Sequence, residues 1–516
     1  MTQQSMSSPP AASSKPVALQ VRRGTYRDSV ALLGISRTLG QLPGVDAALV
    51  AMGTELNLEL LTEMGGTAPK DVTANDLLIA VRATEETDRD AALARATEEL
   101  AAMADGPSGG GRTAAGDEPH RSIRGAVAHT ATSTSPATVA LVATPGAAAA
   151  VPAFEALHAG LDVMVFSDNV PLQHELALKR TAQQLGLLVM GPDCGTAVLG
   201  GAGLGFANTV QPGPVGIVAA SGTGAQHLMC LLDAAGIGIS HCLGVGGRDL
   251  GAEVGGISTL RALRLLDEDP ATEHIVVVSK PPASEVAEQV RATLAELATP
   301  THTALLGEGQ PDLTEVATQV VSAMEQPPVS WPRWLPTDPP GPRAGALRGL
   351  FCGGTLAAEA LLISAKQLGP IATTENAAGH RIIDMGGDGR TAGRPHPMID
   401  PTPRTSRLAT ELRTEDCAVV LLDVLLGHGS HPDPAREVAE TLREARTLAP
   451  VPPVVVTLCG TSADPQDLSA QAQQLCEAGA EVYASNAAAA RRAAQLAAQL
   501  AAQLAAQSTD SPGARP

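Results

Sequence analysis

The sequence predicts a multidomain α/β protein: a small α/β domain, a parallel-sheet domain, and then two copies of one α/β lobe. Three observations predict it. From residue 137 short apolar runs alternate with helical periodicity, the βαβ pattern of a parallel sheet. The stretch GPVGIVAASGTGAQHLMCLLDAAG from Gly213 returns as ALRGLFCGGTLAAEALLISAKQLG from Ala346. HIVVVSKPPASEV from His274 and THTALLGEG from Thr301 likewise return, in the same order, from Ala418 and Pro453, so one unit has been duplicated. The length of 516 residues suits about three or four domains, and 44% hydrophobic content suffices for several cores.

Residues 1–16 are rich in Ser, Pro and Gln without an apolar core, which reads as a disordered tail and not a signal peptide. Residues 17–104 form the small domain, with strands at Val17 to Val21, Ala47 to Met52 and Leu77 to Arg82. Helices at Tyr26 to Leu39, Thr54 to Met64 and Glu85 to Met103 alternate with them. Arg22, Arg23, Arg27 and Asp28 read as a solvated charged face, with an anion contact as the alternative. Residues 105–136, rich in Gly, Ala, Ser and Thr, are a linker.

Residues 137–212 read strand, helix, strand, helix, strand, and ligand groups gather at the carboxyl ends of such strands. Asp168, Asn169, Asp193 and Cys194 stand there, Asp168 as a helix cap and Cys194 as a lining thiol. In the first lobe, 213–325, the strand Gly216 to Ala220 runs into Ser221, Gly222, Thr223 and Gly224 before a helix. A helix start offers free N–H groups and the positive dipole end, and glycine lets an anion come close, so a phosphate or carboxylate fits. The competing reading is a cap by Ser221 on a tight turn. No GK[ST] follows, so this is no Walker loop, and the three-glycine dinucleotide fingerprint is absent. Gly246, Gly247, Arg248 and Asp249 follow in a Gly-rich charged loop.

The Pro-rich segment 326–345 links to the second lobe, 346–490. There Gly353, Gly354 and Thr355 start the matching helix, and GGDGRTAGRPHPMIDP supplies Arg394, His396 and Asp400. Arginine grips carboxylate or phosphate bidentately and a neutral histidine exchanges protons near pH 7. Asp423, His428 and His431 have only generic spacing, so no metal is assigned. Residues 491–516 are an Ala-rich helix and tail, with QLAA repeats.

A net charge of −19 and 2% aromatic content argue against nucleic acid or an anionic membrane as partner. Seven scattered cysteines without a CxxC pair point to reduced thiols and a cytoplasmic location, and no apolar run reaches the roughly 18 residues of a membrane span.

MGPDCG, GIVAASGTG, GVGGRDLGAEVGG and HIVVVSKPP resemble the acyl-CoA synthetase superfamily around the succinyl-CoA synthetase alpha subunit. RRGTYRDSVALLGIS, FCGGTLAAEA, GRPHPMIDP and LLDVLLGHGSHPDPA resemble the FdrA family within it, and the resemblance runs from Val17 to about Leu496. It implies a nucleotide-fold (Rossmann-like, CoA-binding-like) domain at 137–212 followed by two flavodoxin-like lobes, in a chain that works with other subunits. It also implies oxamate carbamoyltransferase chemistry, oxalurate plus phosphate giving oxamate plus carbamoyl phosphate in allantoin breakdown. Besides Ser279 and Lys280, which stand where the synthetases keep a Glu, two departures separate this chain from them: no CoA-binding glycine loop precedes Val139, and GQPDLTEVATQ lacks the histidine that carries phosphate. Both speak against CoA and nucleotide as cofactors. The expectation is a carbamoyltransferase subunit in which Ser221 to Gly224, Gly246, Gly247, Asp249, Asp193, Gly353, Gly354, Thr355 and Asp400 hold small anionic substrates, Arg248 and Arg394 neutralise charge, and His396 moves a proton. The alternatives are an ADP-forming acyl-CoA synthetase and a non-catalytic scaffold.

Overall fold

The computed structural model describes residues 17–105, 120, 122–131, 136–341, 343–375, 377–391 and 395–509. The expected N-terminal tail, most of the 105–136 linker, Arg394 and the last residues of the C-terminal tail lie outside them. The chain forms two compact units, one from the residues before Pro119 with Gly389–Pro395, the other from the remainder.

In the first unit β1 (Ala18–Arg22), α1 (Ser29–Gly40), β2 (Val45–Met52), α2 (Glu55–Glu63), β3 (Leu77–Ala83) and α3 (Glu86–Asp105) alternate as the periodicity predicts. The sheet has the order β1-β3-β2 and is antiparallel throughout. The apolar run LLIAVRA is the central strand, covered by α1 and α3 through Leu32, Ile35, Leu39, Ala92 and Ala96. Asp28 is exposed and accepts from Ala31 N at 2.8 Å, so it caps α1 from the solvated face. Arg23 pairs with Asp71 and Asp76.

The second unit begins with α4 (Ile123–Thr130), followed by β4 (Val139–Val142), α5 (Ala150–His158), β5 (Asp162–Val165), α6 (Leu172–Leu185) and β6 (Val189–Met190). These strands make a parallel sheet in the order β4-β5-β6. The hairpin β7 (Thr196–Leu199) and β8 (Ala202–Gly205), grouped by sequence with this domain, pairs instead onto the first lobe through β10. That lobe contains β9 (Pro212–Ala220), α7 (Gly222–Ala234), β10 (Ile239–Gly244), α8 (Ile257–Glu268), β11 (His274–Ser279), α9 (Ser284–Glu296), β12 (Thr301–Leu305) and α10 (Leu313–Ala323). The second lobe contains β13 (Arg333–Trp334), β14 (Ala346–Phe351), α11 (Gly354–Leu368), β15 (Arg381–Asp384), α13 (Thr402–Arg413) and β16 (Cys417–Leu425), while α12 (Asp388–Thr391), between β15 and α13 in sequence, belongs mostly to the first unit. It closes with α14 (Pro434–Leu448), β17 (Val454–Cys459), α15 (Leu468–Glu477), β18 (Glu481–Tyr483) and α16 (Asn486–Thr509).

The duplication is explicit in the topology. The first sheet runs β12-β11-β9-β10-β7-β8 and the second β13-β18-β17-β16-β14-β15. Matching β9 to β14 and taking each copy in order gives the same four-strand core, with β10, β11 and β12 answering to β15, β16 and β17. Each lobe adds its own antiparallel edge, β7–β8 in one and β13 in the other. The edge strand β13 falls inside the segment that composition reads as linker.

The lobes share one core. Ile217, Leu228 and Val278 of the first pack in the same apolar cluster as Phe351, Leu356 and Val419 of the second. One face of α16, Ala489, Ala490, Ala493, Leu496 and Ala497, is buried in that cluster too, so the Ala-rich helix begins as a packing element. Asn208 adds polar links, donating to Leu426 O at 3.1 Å and Asp464 Oδ2 at 2.7 Å. Among the described residues no helix is long and apolar enough to cross a membrane.

Candidate active site at two facing helix starts

Each lobe's first strand ends in a turn that opens a helix. Ser221 is extended and its Oγ accepts from Gly224 N at 2.9 Å, capping α7, while Gly353 occupies the same place before α11. Duplication brings the two turns face to face: Ser221 Oγ and Thr355 Oγ1 lie 2.5 Å apart, across 134 residues of sequence. The small residues follow from this closeness. A Cβ on Gly224 would lie 2.6 Å from Ser221 Oγ and 2.9 Å from Thr355 Cγ2, and one on Gly353 would lie 3.0 Å from Thr223 Oγ1. First-turn N–H groups have no partner within their helix, and two positive dipole ends held together favour an anion between them.

The protein supplies two carboxylates at the edge of this place, Asp423 and Asp384. Asp423 at the carboxyl end of β16 accepts from Cys352 N at 2.8 Å and Gly353 N at 2.7 Å. Buried Arg404 neutralises it, with its guanidinium 3.0 Å from Asp423 Oδ1 and 3.2 Å from Cys352 Sγ. The first lobe has apolar Val278 at the register position matching Asp423, and Lys280 follows the end of β11. Lys280 Nζ is half exposed and 3.9 Å from Asp384 Oδ2. Both overhang the start of α11, because a Cβ on Gly354 would meet Asp384 Oδ2 at 2.4 Å and Lys280 Nζ at 2.6 Å.

His396 stands on the second-lobe side. Its Nδ1 accepts from Met398 N at 3.2 Å, which puts the ring proton on Nε2, and Gly386 passes so close that a Cβ there would lie 2.5 Å from Nε2. The Phe206 ring is 6.0 Å away, centroid to centroid. Burial pulls the His396 pKa down to about 4, so the imidazole is neutral at pH 7.

Fully buried His227 on α7, whose Nε2 accepts from Asn486 N at 3.3 Å, is likewise pulled down to about 4. An unfolded histidine titrates near 6.5, so between about pH 6.5 and 4 the unfolded chain binds protons that the folded chain refuses. Stability is therefore expected to fall as pH drops through that window. His227→Gln, which keeps an acceptor but cannot titrate, is expected to flatten the fall in thermal midpoint; an unchanged slope would show that the ring is not held neutral.

The other residues singled out by sequence lie elsewhere. Asp249 is fully buried and accepts from Thr259 N at 2.9 Å, Thr259 Oγ1 at 2.7 Å and Lys179 Nζ at 2.6 Å, so it is a core group and not a ligand contact. Arg248 is held by Glu175 at 2.9 Å and donates to Val170 O at 2.7 Å, which ties the α6 region to the first lobe. Gly246 packs against the loop after β6, where a Cβ would lie 2.5 Å from Pro192 O, while Gly247 has open space. Asp193 sits exposed in that loop with φ 57°. Asp400 accepts from Thr402 N at 3.2 Å and Thr402 Oγ1 at 2.6 Å, at the start of α13. Asp423, His428 and His431 do not converge: His428 Nε2 meets Thr209 Oγ1 at 3.3 Å and His431 Nε2 lies 3.7 Å from Glu437. Arg404 and the Lys280–Asp384 pair are what sequence reasoning missed, since no local pattern marks a charge whose partner lies in another element.

Residues 350–496 match the CoA-ligase family model, and residues 14–116 match the model described as AllF, heavy metal-associated domain. Residues 14–116 contain neither cysteine nor histidine, so they offer no thiolate or imidazole ligand for a soft metal. The Escherichia coli K12 protein "Uncharacterized protein YahF" is 35% identical over 504 residues, covering 90% of this chain and 95% of that one. Succinate–CoA ligase [ADP-forming] subunit alpha 2 of Archaeoglobus fulgidus is 30% identical over 227 residues, 43% of this chain and 67% of that one. Among solved structures, a dinucleotide-forming acetyl-coenzyme A synthetase 1 of Ca. Korarchaeum cryptofilum aligns with 78% of this chain and 89% of its own at 15% identity and a TM-score of 0.28.

Proposed function

This chain belongs to the family of Escherichia coli YahF, and from that premise we propose that it is an acyl-transfer subunit of the CoA-ligase type. In this reading it moves an acyl group between phosphate and an acceptor at the facing starts of α7 and α11. The observation that carries the proposal is the 2.5 Å contact between Ser221 Oγ and Thr355 Oγ1, which fixes two anion-favouring helix ends around one spot. When an acceptor attacks the acyl carbon of an acyl phosphate, the C–O bond to phosphate breaks and negative charge grows on the carbonyl and phosphate oxygens. Preorganised donors stabilise that charge. The N–H groups of Gly222, Thr223 and Gly354 and the Lys280 ammonium are the donors, neutral His396 bonds the Gly386 backbone of the loop after β15, and Asp423 with Arg404 keeps the second turn rigid.

A second reading specialises the first: the acyl group is carbamoyl, and oxalurate plus phosphate gives oxamate plus carbamoyl phosphate. The match of residues 14–116 to the AllF domain model favours it, as does the absence of histidine from 303–319. In either reading the chain works in the cytoplasm with partner subunits.

Product analysis on the chain purified with its genomic neighbours separates the two. Carbamoyl phosphate from oxalurate and phosphate supports the second reading; acyl-CoA from CoA, ATP and a carboxylate supports the ligase. The double variant Ser221→Ala, Thr355→Val is expected to lower kcat roughly 10²-fold or more in whichever reaction is found. Full activity in that variant would leave the chain as a scaffold for chemistry performed elsewhere.

A further inference from the structure

α11 packs into the shared core and also walls a cleft beside it. Leu356, Ala357 and Ala360 are buried in that core and Leu361 and Leu362 pack against its margin, while Gly354, Ala357, Ala358, Leu361 and Leu362 recur at helical spacing along a second face. This second face forms one wall of a cleft of about 300 Å³, with Ile382 of β15 and Pro281 opposite. The cleft has a polar end and an apolar end. Asp384 lines it where Gly354 begins the helix, and Lys280 stands there beside Pro281, 3.9 Å from Asp384 and half exposed. Away from that end the lining is alanine, leucine and isoleucine with one hydroxyl, that of Thr373. From Gly354 to Leu361 the helix rises about 10 Å, a span that suits a short hydrocarbon chain.

We propose that this cleft is the acyl pocket of the reaction described above, and that the substrate class is a short aliphatic monoacyl phosphate. The inference rests on the phosphate end lying at the facing helix starts; what is new is where the carbon chain goes and what it is made of. Continuity decides the occupant. The cleft opens at Gly354, the residue whose N–H is offered to the phosphate, and the ammonium at its mouth matches an anionic head on an apolar body. A dicarboxylate would bring a second charge among Leu361, Leu362 and Ile382 with no cation in the lining to pair it, only the Thr373 hydroxyl, which is costly.

Calorimetric titration of the full chain with inorganic phosphate and with methyl-, propyl- and pentylphosphonate, stable mimics of the acyl phosphates, tests this. Affinity is expected to rise about fourfold per added methylene until the cleft is full. In Ala358→Trp, whose indole fills the cleft, that gradient is expected to flatten; in Ala358→Val it should break off at a shorter chain. Lys280→Gln is expected to weaken all the phosphonates by a similar factor. Phosphate binding with no chain-length gradient would overturn the pocket and leave the helix-start reading intact. A gradient that survives Ala358→Trp would also overturn it, by placing the chain elsewhere. Failure of phosphate and every phosphonate to bind would sink the underlying reading together with the pocket.

Discussion

Gly353→Val is expected to slow acyl transfer at least about a hundredfold while the chain still folds. The backbone at Gly353, φ −98° and ψ 105°, is extended and open to valine, so the effect comes from space alone. Even the first added carbon would lie 2.9 Å from Asp423 Oδ2 and 3.0 Å from Thr223 Oγ1. Because Asp423 is clamped by Arg404 and the Cys352 N–H, the α7 turn must give way, which parts Thr355 from Ser221. Displacing a reacting group by about 1 Å costs on the order of 10² in rate, whereas overpacking costs the fold only about 1–3 kcal/mol. Single-turnover rates beside thermal midpoints measure the two separately. Activity within a factor of three of wild type would mean that the facing helix starts do not hold the reacting groups.

The largest stability effect is expected far from that place, at Lys179. Its side chain is fully buried between Glu175 at 2.9 Å and Asp249 at 2.6 Å, and it donates to Val245 O at 3.0 Å. Lys179→Met keeps the bulk and removes the charge, leaving one cation, Arg248, beside two buried carboxylates. Breaking a buried pair in this way costs about 3–5 kcal/mol, which lowers the thermal midpoint by roughly 6–20 °C. The triple variant Lys179→Met, Glu175→Gln, Asp249→Asn is expected to recover part of the loss, because no carboxylate is then stranded. A single variant with an unchanged midpoint would show that the charges are hydrated, and the account of this cluster would fall.

The α/β class and the duplication were legible because they are written in period and order: strand and helix patterns are local, and repeats need no third dimension. Ser221 to Gly224 and Gly353 to Thr355 were legible as helix starts for the same reason. That they face each other was not, since nothing in either segment points to the other. Asp249 shows the opposite error. Among glycines and beside an arginine it reads as a ligand contact, yet four donors from α8 and α6 consume it, and those donors lie up to 70 residues away. Arg404 was invisible because α13 is polar along most of its length, and a buried arginine there becomes intelligible only once Asp423 is seen across from it. The hairpin β7–β8 was misassigned because its four-residue strands are too short to show a period, and only pairing with β10 gives it a home.

The shared core has a consequence for how the chain is made. Leu228, Met229 and Leu232 of α7 are packed in a cluster completed by Ala490, Ala493 and Leu496 of α16, more than 250 residues later in the sequence. A ribosome adds about 5–20 residues per second, so this side of the first lobe waits on the order of tens of seconds for its cover. During that interval a sticky nascent surface is exposed at the tunnel exit. α16 thus arrives late and closes this core, which makes chaperone engagement and truncation before it the natural points of failure in biogenesis.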